Sequence, residues 1–269
     1  MQNTELEGNM EIKELVDVIK KLRSPDGCPW DRKQTPESLI PQMLEEVYEL
    51  VDAIYEKEPD KIKEELGDVL LHIVFQAVFA EENNKFTIDD VIKEIIEKII
   101  RRHPHVFANK EINSIEELNI TWEKIKASEK GKENRGLLDG IPKSLPALMY
   151  AYKITKKVQK VGFDWPDVAN LFEKLDEEFQ EFEQALINKD RENIEEEFGD
   201  ILFILVNLAR KLNINPEEAL IKTNKKFLKR FKFIENNLKE NNLRFEDVNL
   251  EYMDNLWEKA KKLEKSVKK

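Results

Sequence analysis

One acidic pattern occurs twice in this chain. Glu45-Glu46-Val47-Tyr48-Glu49 is followed by Glu65-Leu66-Gly67-Asp68, and Glu177-Glu178-Phe179-Gln180-Glu181 is followed by Glu197-Phe198-Gly199-Asp200. In each copy 19 residues separate the leading glutamates, Glu46 from Glu65 and Glu178 from Glu197. Acids three apart share one helix face. Two such helices folded back on each other therefore aim four carboxylates at one place. Two like charges about 4 Å apart cost about 4 kcal/mol at an effective dielectric near 20. The groups must take up protons or hold a cation.

The repeat divides 269 residues into halves large enough to bury separate cores. We expect an N-terminal helical repeat over 1–127, a linker over 128–146 and a C-terminal helical repeat over 147–269. Glycine is scarce, charged residues make up 37%, and no alternating strand pattern occurs, so the expected class is all-α. Apolar periodicity predicts helices over about 10–22, 38–55, 60–82, 88–102 and 114–127. In the second half it predicts 148–159, 167–188, 190–212, 216–238 and 250–265. Cys28-Pro29-Trp30-Asp31 reads as a loop, and His103-Pro104-His105 as a helix end. Gly67 and Gly199 suggest close approach of two helices.

A net charge of −11 argues against a general nucleic-acid binder. The longest apolar stretch is too short to span a bilayer. Glu5, Glu7, Glu11 and Glu14 are foreign to a signal peptide. The single cysteine fits a cytoplasmic protein. No P-loop, dinucleotide turn or nucleophile elbow is present. With only His72 besides His103 and His105, a zinc site is not expected.

All-oxygen ligands select a hard cation, Mg²⁺, Mn²⁺ or Ca²⁺. The first candidate ligand set is Glu46, Glu49, Glu65 and Asp68; the second is Glu178, Glu181, Glu197 and Asp200. The acids continue apolar stripes, where unpaired carboxylates are unfavourable. Isolated acidic pairs on solvated helix faces are nevertheless common. Lys222, Lys226 and Arg230 share one face of a helix that also carries Asn224, and they suit phosphate oxygens. The first half keeps Lys98 and Arg102 but has Ile96 at the Asn224 position and Phe75 at the Asn207 position. Trp30, Trp122, Trp165 and Trp257 fit either core packing or stacking on a base.

Taken together, Gly27-Cys28-Pro29-Trp30-Asp31, the two acidic quartets, Arg101-Arg102-His103-Pro104-His105-Val106-Phe107, Val161-Gly162-Phe163-Asp164-Trp165 and Asn224-Lys225-Lys226-Phe227 with Arg230 resemble the MazG family of tandem-repeat nucleoside triphosphate pyrophosphohydrolases. The resemblance runs from about residue 10 to residue 262. It implies a four-helix-bundle type of fold assembled as a homodimer. It implies cleavage of nucleoside triphosphates between the α- and β-phosphates, yielding monophosphate and pyrophosphate. It implies Mg²⁺, with Mn²⁺ as a substitute, on the two acidic quartets, and Glu178 or Glu46 as the group that orients water or accepts its proton. Asn224, Lys226, Arg230 and Trp257 would contact the nucleotide, with Lys98, Arg102, Trp30 and Trp165 as further contacts. The second repeat is favoured as the working one, on Asn224 and Asn207. Two other readings fit the residues: a dUTPase-like enzyme of narrow substrate range, and a non-catalytic helical interaction module.

Overall fold

The computed structural model describes residues 11–108, 114–128 and 136–267, and these form helices and turns with no strand among them. The all-α expectation holds. The chain divides into two compact units, Met1–Lys132 and Glu133–Lys269. No helix among the described residues is long and apolar enough to cross a membrane.

The first unit contains α1 (Ile12–Arg23), α2 (Pro29–Lys33), α3 (Ile40–Glu56), α4 (Pro59–Glu82), α5 (Ile88–Arg102), α6 (Pro104–Phe107) and α7 (Ile115–Ser128). Helices α3 and α4 form an antiparallel hairpin joined by Lys57 and Glu58 alone. Lys57 closes α3 in the left-handed conformation (φ 61°), and Pro59 opens α4 with a preset backbone. Val16 and Ile19 of α1 and Leu39 pack with Val74, Phe75, Val78 and Phe79 of α4 and Ile88 of α5. Thr87 and Asp90 cap α5 reciprocally.

The second unit contains α8 (Ala147–Val158), α9 (Val168–Asn188), α10 (Arg191–Lys211), α11 (Pro216–Glu240) and α12 (Leu250–Val267). Helices α9 and α10 repeat the hairpin, again through two residues, with Lys189 left-handed (φ 55°) and Asp190 capping α10 through the Asn193 amide. Asn215 caps α11 in the same manner. Ile234, Leu238 and Leu256 bury the α11–α12 seam, with Phe231, Phe233, Met253 and Trp257 around them.

Three details differ from the sequence reading. The segment read as a loop around Trp30 is the short helix α2, because Pro29 supplies a ready first helical position. The His103 break is followed at once by the single turn of α6, likewise opened by a proline. A side chain at Gly67 or Gly199 would meet nothing within 4 Å, so the close approach expected there does not occur within a unit. Gly27 does make such an approach, since a Cβ there would collide with the Leu22 carbonyl oxygen at 2.2 Å. The expected start of the first helix at Met10 and residues 129–135 of the expected linker lie outside the described residues.

A buried ion cluster ties the loop before α9 to the end of α10. Arg210 donates to the Asp164 carboxylate and to Asn207 Oδ1, and Lys211 reaches Asp164 (2.8 Å) and the Trp165 carbonyl. Burial pushes the Asp164 pKa up, but the bonds from Arg210 and Lys211 outweigh it and leave the carboxyl below its usual value. We expect Asp164→Asn to destabilise the second unit by about 3 kcal/mol in urea denaturation, because it strands a buried guanidinium. Because the folded pKa is depressed, the stabilisation is full above the ordinary carboxylate range. It fades as pH falls below about 4. The gap between wild type and variant should therefore close in acid.

Candidate active site

The two-residue turns set the register of the acids. Glu49 lies eight residues before Lys57 and Glu65 eight residues after it; Glu181 and Glu197 flank Lys189 in the same way. At 1.5 Å per residue, each pair stands at equal height, roughly 12 Å from its turn. Glu46 and Glu178, one turn farther along, join them. The carboxylates of Glu46, Glu49 and Glu65 offer oxygens within 4.8 Å of one another, and so do those of Glu178, Glu181 and Glu197. Asp68 and Asp200 fall outside these tight groups, yet their charges act on Glu46 and Glu65 in the first and on Glu197 in the second.

The electrostatics follow from the crowding. Desolvation raises the Glu46 pKa, and Asp68, Glu49 and Glu65 raise it further. Glu65 is raised by desolvation, then by Glu49, and Glu197 by desolvation, then by Glu181 and Glu178. Glu65 Oε2 is shielded from solvent and meets no hydrogen-bond partner among the described residues. A shielded, unpaired carboxylate oxygen beside two other carboxylates fits a hard divalent cation.

The two clusters differ in what surrounds them. Glu178 is buried (5% exposed) and accepts an ion pair from Lys174 at 3.0 Å. The bonds to Glu177 and Glu178 raise the Lys174 pKa, so it stays charged. Lys174 was not picked out from the sequence, although its place one turn before Glu178 is the signal for such a pair. Gln42 holds the corresponding place before Glu46, and its Oε1 is buried and meets no hydrogen-bond partner among the described residues. His72, one turn after Asp68, is also buried. Desolvation lowers its pKa against the opposing pull of Asp68, and Ile204 stands there in the second repeat.

The expected nucleotide contacts are distributed as follows. Lys226 is exposed and Arg230 half-buried on α11; both line a cavity of about 840 Å³ between α11 and α12. Trp257 packs against Phe227 (5.0 Å between rings) and lies under Arg230 (5.4 Å). Asn224 is exposed on α11 and does not line that cavity. Asn207 is 1% exposed and bonds the Phe203 carbonyl and Arg210, so it supports the ion cluster and offers nothing to the acidic face. Lys98 pairs with Glu94 at 3.7 Å, and Arg102 is half-buried. Trp30 is exposed, and Trp165 is half-buried with its carbonyl held by Lys211. None of the three glutamates of the second cluster lines the α11–α12 cavity.

A family model described as the MazG nucleotide pyrophosphohydrolase domain matches residues 34–107 and again 167–234, covering both hairpins. The chain is 49% identical over 255 residues to "Nucleoside triphosphate pyrophosphohydrolase/pyrophosphatase MazG" of Thermotoga maritima, spanning 95% of this chain and 97% of that protein. It is 42% identical over 260 residues to "Nucleoside triphosphate pyrophosphohydrolase" of Escherichia coli K12, spanning 94% and 98%. It is also 49% identical over 249 residues to the uncharacterized protein YabN of Bacillus subtilis, spanning 92% of this chain and 51% of that one.

Carboxylates with raised pKa values are destabilising while charged, and protonation or neutralisation relieves them. We expect Glu65→Gln and Glu197→Gln each to raise the melting temperature of the protein in chelator at neutral pH. The gain should shrink as pH falls through the raised pKa values, where wild type protonates. A lowered melting temperature in both variants would show that the clusters are not repulsive.

Proposed function

The chain belongs to the MazG nucleotide pyrophosphohydrolase family, and we infer from that membership and the site geometry that it hydrolyses nucleoside triphosphates to monophosphate and pyrophosphate. The observation that carries the reading is the convergence of three glutamates from the two arms of one helical hairpin, present in each repeat.

The oxygen-only donor sets and the orphaned Glu65 oxygen favour Mg²⁺, with Mn²⁺ as a substitute. When bound, such an ion neutralises phosphate oxygens and makes water a stronger acid. The protein's own groups do the rest. Glu178 or Glu46 orients the attacking water and accepts its proton; the raised pKa of Glu46 suits that task. Glu49, Glu65 and Asp68, with Glu181, Glu197 and Asp200, complete the two ligand sets. Lys226 and Arg230 meet the phosphate chain, Asn224 hydrogen-bonds the nucleotide and Trp257 offers a face to the base. In the first repeat Lys98 and Arg102 take the phosphate role, and Trp30 and Trp165 are the remaining stacking candidates. We treat each repeat as one domain and the reaction as cytoplasmic, where nucleoside triphosphates are made and used.

The second repeat carries the larger share of turnover in this reading, supported by the cation-lined cavity between α11 and α12. The earlier support from Asn207 falls away with its burial. Assay of pyrophosphate release in Mg²⁺ should show Glu197→Gln losing most of the activity, on the order of 100-fold, and Glu65→Gln losing less. Equal losses would refute the preference.

Homodimer assembly is supported by the faces beside the acids. Phe172, Phe179 and Leu186 on α9 and Phe198, Leu202 and Leu205 on α10 are all exposed large apolar residues, in stripes flanking the carboxylates. Two such hairpins packed face to face would bury these stripes as a four-helix bundle. Light scattering should give twice the chain mass for the wild type and less for Leu202→Glu. A wild type that stays monomeric at micromolar concentration would defeat this assembly.

A further inference from the structure

The cavity between α11 and α12 is lined by six lysines, among them Lys226, Lys229 and Lys261, and by Arg230. In a chain of net charge −11 this is a strong local reversal. Among the described residues its only lining acid is Glu264, from the last turns of α12. That carboxylate does not face outward. Arg230 Nε and Nη2 both donate to Glu264 Oε2, at 3.1 and 2.8 Å, and the two side chains retain only 16% and 21% exposure. The guanidinium also lies over the Trp257 ring, 5.4 Å from its centre.

The fork of donors is thus engaged but incompletely matched. Both bonds fall on one oxygen, whereas phosphate and carboxylate groups satisfy an arginine best with two. Glu264 brings one negative charge to a lining of six lysines and Arg230, of which Lys222 and Lys261 also pair with Glu218 and Glu258 outside that lining. A phosphate chain brings more charge, and its oxygens can meet the lysines and the guanidinium together.

We propose that Glu264 is a displaceable anion that competes with substrate phosphate for Arg230, and so sets how tightly the phosphate chain is held. The inference rests on the assignment of Arg230 to phosphate made above. Binding then requires exchange of the Glu264–Arg230 pair for a phosphate–Arg230 pair. The return of Glu264 helps eject the phosphate product. Glu264 is a residue that tunes affinity through Arg230, with no direct part in bond cleavage.

The test is calorimetric titration of the full chain with inorganic triphosphate, together with KM in the pyrophosphate-release assay. Glu264→Gln should tighten triphosphate by about 3- to 10-fold and lower KM in step. Glu251→Gln is the control. Glu251 lies in the first turn of α12, exposed and outside the cavity lining. Its substitution removes the same charge at the far end of the helix, so it should leave triphosphate affinity near the wild-type value. Unchanged or weaker binding in Glu264→Gln would overturn the proposal, as would equal tightening in both variants. Arg230→Gln separates the two layers. If it fails to weaken triphosphate, the assignment of Arg230 to phosphate is wrong and the inference falls with it. If it weakens binding while Glu264→Gln does not tighten it, only the inference fails.

Discussion

Everything in the candidate site depends on the mutual repulsion of carboxylates that the backbone forces together. A two-residue turn closed by a left-handed lysine leaves the arms of each hairpin no freedom to slide. With the register fixed, the glutamates eight residues on either side of the turn must face each other. Repulsion at this distance opposes folding of the metal-free chain, and hydrophobic contacts elsewhere must offset it. In the first unit that burden falls on the apolar later turns of α4, where Val74, Phe75, Val78 and Phe79 are packed away.

The two repeats reach one geometry through different local chemistry. Around the first cluster stand Gln42 and His72; around the second stand Lys174 and Ile204. The ties between the loop and the hairpin are also reversed in polarity. In the first unit the arginine comes from α1: Arg23 bonds Glu82 of α4, reaches the Asp31 carbonyl and lies over the Phe79 ring. In the second unit the arginine comes from the hairpin itself, as Arg210 of α10, and the acid from the loop, as Asp164. The glutamates keep their positions in both, together with the left-handed lysine turn and the Gly67-Asp68 and Gly199-Asp200 pairs. A feature that persists in both copies while its surroundings differ is what a shared reaction requires. Shared helix propensity alone would not single those positions out.

The helical class, the hairpins and the convergence of three glutamates in each acidic set were legible because they are local. Period-3.6 patterning and i, i+3 spacing survive in the sequence whatever the tertiary fold does. The short helices α2 and α6 escaped because one turn of helix has no period to read, and a leading proline looks like a breaker as readily as a first helical residue. Asn207 was misread because an asparagine on an acidic stripe has no one-dimensional mark of being buried. Its role is set by Arg210 and by Asp164, 43 residues earlier in the sequence. The Glu264–Arg230 pair, 34 residues apart, was invisible for the same reason.

The cation-lined cavity and the acidic cluster of the second unit make complementary demands on a triphosphate. The cluster suits a ligand that arrives with a cation, while the cavity suits the naked oxygens of the phosphate chain. Neither alone discriminates a nucleoside triphosphate from other anions, since carboxylates bind many hard ions and lysines many phosphates. In the proposed function, selectivity for the triphosphate comes from engaging both at once, with the base at an aromatic face such as Trp257. The glutamates of the second cluster do not line the α11–α12 cavity. The exposed apolar stripes of α9 and α10 beside those glutamates supply the reason to look for the remaining wall of the site on a second copy of the chain.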